Sequence, residues 1–191
     1  MIKAVAADIP QVSTTLARAF HDDPIFALLF GGSVLEDRAR RFFTVMGRVQ
    51  IHHDLVFRTA ANEAAAIWAP PAEWKLKTSQ IVKNSPALLR VFGTRLIANL
   101  GILNVLEKNH PSEPHYYLEF IGTDPGHQGK GLGSALMQPM IDRCDTEGVG
   151  AYLESSKESN VAFYGRFGFE TTRVITHKAG PQQWLMWRDP R

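Results

Sequence analysis

The sequence predicts an α/β fold on a mixed sheet, and three observations carry that prediction. The run from His115 to Thr123 is apolar and aromatic and stops at Asp124-Pro125, as a buried strand ending in a turn does. Beyond it Leu132, Leu136, Met140 and Cys144 recur every four residues, one face of a helix, and Gly148 marks where that helix ends. From Ala151 the stretch AYLESS is strand-like again. Strand, helix and strand in succession form a crossover, which demands parallel pairing of the two strands it links. Short connections elsewhere imply antiparallel pairs, so the sheet is mixed, with helices on both faces.

The remaining elements follow in order. Ile2 to Val5 reads as a short strand. Asp8, ahead of Ile9-Pro10, is placed to cap a helix that reaches about His21, where His21-Asp22-Asp23-Pro24 breaks it. A second helix is expected from Leu35 to His53. Leu55–Thr59 and Ala64–Trp68 read as strands around the turn Ala61-Asn62, and Ala69-Pro70-Pro71 ends the second. Trp74 to Glu107 is helical in pattern, with breaks near Ser85-Pro86 and Gly93, and Asn109 to Pro114 is a loop. Pro139 is expected to kink the helix that follows the fourth strand. Asn160 to Phe167 is a short helix ended by Gly168, and Phe169–His177 and Gln182–Arg188 are the last strands, joined through Lys178–Pro181. The order is β α α β β, a helical insert, then β α β α β β. Residues 1–191 read as one domain, with 71–114 an inserted helical segment and loop before the fourth strand.

Composition narrows the function. The chain has 191 residues, with 21 basic and 19 acidic side chains, a net charge of +2 that argues for neither nucleic acid nor a membrane surface as partner. One cysteine excludes an internal disulfide and a cysteine-based metal cluster. That residue, Cys144, lies on the apolar face of its helix, so it reads as a packed thiol rather than a nucleophile. His52-His53-Asp54 lacks further ligands and reads as a helix end, not a metal site. Leu88 to Leu106 is apolar but is interrupted by Arg90, Arg95 and Asn99, which favours an amphipathic helix over a membrane span. With no signal-peptide pattern at the N-terminus, a cytoplasmic protein, monomeric or homodimeric, is the expectation.

The stretch DPGHQGKGLGSAL, Asp124 to Leu136, carries the chemistry. Gly129, Gly131 and Gly133 lie between a strand and the first turn of a helix, where free amides and the positive helix end suit a phosphate. The nucleoside-triphosphate loop is excluded because Leu132 stands where lysine is required. The dinucleotide pattern is excluded because Ser134 or Leu136 stands at its third glycine. What remains is Gln128-x-x-Gly131-x-Gly133, which resembles the pyrophosphate signature of the GNAT N-acetyltransferase superfamily. Asn160-x-x-x-Tyr164 followed by Gly168-Phe169 resembles that superfamily's second signature. More narrowly, AFHDDP, AAAIWAPP, DPGHQGKGLGSAL, YLESS and GPQQWLMWR are similar to puromycin N-acetyltransferase-like actinobacterial members. The insert from Trp74 to Leu106 has no counterpart in that match.

The resemblance implies a GNAT fold and acetyl-CoA as co-substrate, wedged between the strand ending at Thr123 and the strand from Ala151. It places the pyrophosphate on the amides of Gly129, Lys130, Gly131, Leu132, Gly133 and Ser134, next to Gln128. Lys130 either meets a phosphate or is solvated. The pantetheine arm pairs with Ile121, Gly122 and Thr123, and Gly122 suggests a bulge whose amide faces the thioester oxygen. Asn160 holds the arm or caps its helix. Tyr164 protonates the departing thiolate, or is a packed core residue. A phenol of pKa about 10 retains a proton to give to a thiol of pKa about 8.5. An alkylammonium acceptor must lose a proton before it attacks, and Glu119 and Glu154 are the candidate bases. Acceptor-pocket candidates are Asp22, Asp23, Phe26, Trp68, Trp74 and Tyr116, acidic and aromatic groups that suit a cationic small molecule beneath the insert. The expected reaction is direct acetyl transfer in a ternary complex to the amine of a small molecule, such as an aminonucleoside antibiotic. The alternatives are a protein or peptide N-acetyltransferase and a non-catalytic acyl-CoA sensor.

Overall fold

The computed structural model describes residues 1–32, 36–75, 77–177 and 180–191, without the side chains of 96–98, 100 and 103. Its elements are β1 (Ile2–Lys3), α1 (Ile9–Ala19), α2 (Pro24–Phe30), α3 (Glu36–Gln50), β2 (Val56–Arg58), β3 (Ala64–Ala69), α4 (Thr78–Phe92), α5 (Leu96–Asn109), β4 (His115–Thr123), α6 (Leu132–Glu147), β5 (Gly150–Ser155), α7 (Val161–Gly165), β6 (Glu170–Thr176) and β7 (Gln182–Arg188). The strands form one sheet in the order β1-β2-β3-β4-β5-β7-β6. β4 and β5 are the parallel pair, and the others run antiparallel. This is the mixed α/β architecture read from the sequence. Among the described residues no helix is long and apolar enough to cross a membrane.

Two cores sandwich the sheet. On one face Leu136, Met137, Met140, Ile141 and Cys144 of α6 pack against Trp68, Tyr116, Leu118 and Leu153. On the other, Val12 and Leu16 of α1 and Ala39 and Phe43 of α3 pack against Val56, Ala65 and Ile67. β3 is buried along its whole length because both faces are covered.

Three local expectations are corrected and one helix is added. Asp8 does not cap α1 through its side chain; its carboxylate accepts from the Val5 amide and pairs with Arg58 at 3.1 Å. The expected break at His21–Pro24 is present, since α1 ends at Ala19, but a further helix, α2, starts there, which Asp23 caps by accepting from the amides of Ile25 and Phe26, both at 2.9 Å. Pro at the first helical position after an Asp is a recognised start signal. Pro86 does not break α4. It cannot donate to the carbonyl of Val82, but the Ser85 hydroxyl does so at 2.8 Å, leaving Gly93 as the break. The bulge in β4 lies at Glu119, between the pairs Phe120–Ile67 and Leu118–Trp68, rather than at Gly122. The expected helix start at Leu35 and the linker residues Lys178 and Ala179 lie outside the described residues.

Gly122 has a different task. A β-carbon there would sit 2.5 Å from Cβ of Ala19, so α1 approaches β4 closely only because that carbon is missing. Gly122→Ala should therefore lower stability by about 1–3 kcal/mol, the usual overpacking cost, in denaturant unfolding. Gly101→Ala, in α5 where a β-carbon meets open space, should instead raise it by about 0.5–1 kcal/mol. Equal effects would exclude the close-approach account.

Candidate functional site

The site begins where two parallel strands part. β4 and β5 pair from His115–Gly150 to Leu118–Leu153, while β4 runs on to Thr123 paired with β3 alone. The edge of β4 at Glu119–Thr123, including Ile121 and Gly122, therefore faces a gap with its amides and carbonyls free of β5. The gap leads into the glycine loop. Asp124 accepts from the Gly126 amide at 3.1 Å and holds the turn Pro125–His127. Gly129 and Gly131 then both take φ of 77°, the left-handed region that glycine favours. Gly133 serves packing: a β-carbon there would lie 3.2 Å from Cζ of Phe163. The amides of Gln128 to Ser134 donate to no described residue, and they stand at the N-terminus of α6. A row of free amides at a helix start is a cradle for an anion of pyrophosphate size. Gln128 donates to the Thr123 carbonyl at 3.4 Å, tying the loop to the strand, and Lys130 is exposed.

From the gap a cavity of about 520 Å³ runs beneath the insert. Tyr164, Asn160 and Ile121 stand at one end, and Ile81, Leu88 and Phe92 of α4 with Leu106 of α5 form the roof. Phe20, Phe26, Phe42, Phe92 and Phe120 line its depth, packed mostly edge to face at centroid distances of 5.0 to 6.2 Å. The bulge turns the consecutive side chains of Glu119 and Phe120 toward the α1–α3 layer.

Two of the carboxylates that line this cavity, Glu119 and Glu154, differ in their surroundings. Glu119 accepts from Gln50 Nε2 at 2.8 Å through Oε1, while its buried Oε2 has no partner among the described residues. Burial pushes its carboxyl up to about 8; the nearby Glu154 adds to the rise and Gln50 opposes it. Glu154 is held on both oxygens, by the Tyr117 hydroxyl at 2.6 Å and the Tyr152 hydroxyl at 3.1 Å. Tyr164 is 8% exposed, and its hydroxyl bonds to no described residue. Burial, with Asp23 nearby, raises its phenol above the usual range, so it holds its proton throughout the neutral region.

The structure gathers part of the expected acceptor set. Asp23, Phe26 and Trp74 line the cavity. Asp23 is fully engaged, capping α2 and accepting from Ser156, while Asp22 pairs with Lys157 at 2.6 Å on the rim. Trp68 and Tyr116 are not brought there; both pack in the core under α6, where the Tyr116 hydroxyl donates to Glu147 at 2.6 Å. Among the residues not expected here, Gln50 matters most. Phe42, Met46 and Gln50 follow at four-residue steps along α3, and a polar group ending an apolar stripe was a readable signal. Among the described residues no group of three or more metal-binding side chains occurs.

The chain is similar to known proteins in sequence and in fold. The model of the Acetyltransferase (GNAT) family matches residues 56–169. A Schizosaccharomyces pombe protein described as an uncharacterized N-acetyltransferase is 28% identical, over 86% of this chain and 71% of its own. A Corynebacterium glutamicum structure, described as histone acetyltransferase HPA2 and related acetyltransferase, is similar over 100% of this chain and 95% of its own, with 25% identity and a TM-score of 0.72. The Drosophila melanogaster polyamine N-acetyltransferase shares the fold at 15% identity, with a TM-score of 0.60 over 97% and 95% of the two chains.

The Glu119 carboxyl makes a stability prediction. Its folded-state value of about 8 lies above the ordinary 4.5, so the folded protein binds this proton more tightly than the unfolded chain does. That contribution is complete at low pH and is lost as pH rises from about 4.5 to about 8. Glu119→Gln keeps the shape and cannot ionise. Its melting temperature relative to the parent should climb across that window and level off above it. A difference independent of pH would show that Glu119 ionises normally.

Proposed function

The chain belongs to the GNAT acetyltransferase family, and on that premise, an acyltransferase of the acetyl-CoA-dependent N-acetyl type, we propose that it acetylates the primary amine of a small, largely apolar molecule. One observation carries this reading: a covered, phenyl-lined cavity contains a buried carboxylate oxygen, Oε2 of Glu119, with no partner among the described residues. An unpartnered acceptor among aromatic walls suits an ammonium group on an apolar body. The covering insert suits a small molecule better than a peptide, which needs an open groove. The subfamily likeness to puromycin N-acetyltransferase points to the same kind of amine.

The proposed roles follow from the geometry. Acetyl-CoA is a substrate here, and the amides of Gln128 to Ser134 fit its pyrophosphate, while the open edge at Ile121–Thr123 fits its pantetheine arm. Asn160 stands at that end of the cavity. Glu119 takes a proton from the ammonium, freeing the nitrogen lone pair to attack the thioester carbonyl. As the C–S bond breaks, Tyr164 gives its proton to the thiolate. No acyl-enzyme is needed. Burial pushes the thiol of Cys144 up to about 11, which leaves it a poor nucleophile.

Thiol release from acetyl-CoA against a panel of amines tests the reading. Hydrophobic primary amines, puromycin included, should give saturable turnover with one new acetyl group on the amino nitrogen, and polyamines should be poor acceptors. Acetylation of peptide N-termini with no activity on small amines would replace this reading with a peptide N-acetyltransferase.

Tyr164→Phe keeps the ring and removes the donor. General-acid help is worth roughly 10²–10⁴-fold, so kcat should fall at least tenfold or so while acetyl-CoA affinity changes little. Normal single-turnover rates in the variant would remove Tyr164 from the mechanism.

A further inference from the structure

Gln50 ends α3 at a place that favours an apolar side chain. The residues one and two turns earlier, Met46 and Phe42, line the cavity, and Gln50 is 1% exposed. Burying an amide is unfavourable unless it is hydrogen-bonded. Yet this side chain makes a single bond among the described residues: Nε2 donates to Oε1 of Glu119 at 2.8 Å. Its own Oε1 is buried with no partner among them. A methionine would fill the same space without an unpartnered oxygen, so packing alone does not account for the amide. Gln50 is not one of the residues that line the cavity, and it reaches the site through Glu119.

The two oxygens of a carboxylate are equivalent until a neighbour tells them apart. When the group is protonated, one oxygen becomes a carbonyl and the other a hydroxyl, and the carbonyl is the better acceptor. The oxygen that receives the Gln50 N–H is therefore the carbonyl, and the hydrogen sits on the other, Oε2. The reversed amide, with Gln50 Oε1 toward Glu119, suits only the neutral acid with its hydrogen on Oε1, directed at the wall. The donor orientation also bears on charge. The titratable neighbours of Glu119 are Glu154 of β5 and Tyr117 of its own strand, while α3 and the end of α1 supply Phe42, Met46 and Phe20 to the wall. Burial and Glu154 both disfavour the ionised carboxylate, and the uncharged Gln50 donor favours it.

The step that uses this arrangement is the removal of a proton from the ammonium by Glu119, so the inference rests on the proposed function. We propose that Gln50 is the positioning residue of that step: its N–H holds Oε1 of Glu119 and leaves Oε2 as the atom that takes the proton. The N–H bond of the ammonium breaks with its electron pair left on nitrogen, and an O–H bond forms at Oε2. The carboxylate loses its charge, and the Gln50 N–H stays on what is now a carbonyl oxygen. Neither side chain has to turn over during the transfer, which keeps Oε2 in one place before and after it. The apolar stripe of α3 thus ends in the group that orients the base, and the same helix supplies Phe42 and Met46 to the wall beside it.

Gln50→Met keeps the shape and removes the donor. With acetyl-CoA saturating, kcat/KM for the best amine should be measured against pH in parent and variant. Glu119 must be ionised to act, so it sets the acid limb. Loss of a donor that favours the ionised form should move that limb up by about one pH unit. Above the limb kcat should fall about tenfold with KM within about threefold, because the carboxylate remains but is no longer held. In the Glu119→Gln background the same substitution should change kcat less than about twofold, because Gln50 acts through Glu119. Two readouts need no amine. The melting-temperature difference between Glu119→Gln and its own parent should level off about one pH unit later when both carry Gln50→Met. In the unsubstituted protein, side-chain amide NMR should show a Gln50 hydrogen shifting with a midpoint of about 8, as the carboxylate it donates to takes its proton. A limb and window that stay in place, whatever the melting temperature, make Gln50 a packing residue and overturn the proposal. Movement to lower pH overturns it too, by showing that the amide accepts from the neutral acid. Should the parent acetylate no amine, the proposed function falls, and the stability window and the NMR midpoint still decide the direction of the Gln50–Glu119 bond.

Discussion

The parting of β4 from β5 after Leu118 and Leu153 is the constraint on which the rest of the site depends. A parallel pair that continued would satisfy the edge of β4 with β5, and nothing could enter. The bulge at Glu119 accompanies the parting and turns two consecutive side chains to one side. One is the carboxylate with the raised proton affinity, and the other completes the phenyl wall. The open edge, the cavity and the buried carboxylate therefore come from one local irregularity. The glycine loop continues directly from this strand, so the free amides of Gln128 to Ser134 lie at the end of the same gap.

Charge is distributed unevenly around that gap. The cavity wall carries Asp23, Glu119 and Glu154, whereas its cationic groups, Lys75 and Lys157, are already paired with Glu107 and Asp22. Each carboxylate is handled differently. Asp23 is consumed by capping α2 and by Ser156, and Glu154 by two tyrosines. Glu119 keeps one buried oxygen without a partner among the described residues. An unpaired buried acceptor is costly to a fold that gains nothing from it, which is why this one draws attention as the chemical centre.

Much of the fold was legible because its signals are local. The strand at His115–Thr123, the four-residue step through Leu136, Met140 and Cys144, and the stop at Gly148 are periodicity and punctuation, and the structure reproduces them. The errors have equally local causes. The sequence reading ends α1 at His21–Pro24, as the structure does, but omits the helix that Asp23-Pro24 starts, and it breaks the insert at Pro86, where Ser85 meets the carbonyl left bare. The cavity was only partly legible. The side on which Trp68 and Tyr116 lie depends on register across β3 and β4, and a one-residue change of register inverts every side chain. Gln50 beside Glu119, and His110 behind Glu154, are long-range meetings that no window along the chain contains.

The position of the insert bears on how quickly the chain can find this structure. β3 and β4 are neighbours in the sheet, yet the segment carrying α4 and α5 separates them in sequence. Pairing them closes a loop of about 45 residues where a hairpin would close about four. The extra loss of chain entropy is roughly 2 kcal/mol. Helices that form early shorten the effective loop, because an ordered segment has fewer conformations to lose. The roof of the cavity thus acts on the folding rate as well as on the shape of the site, and the central strand pairing waits on a segment that contributes little to the sheet.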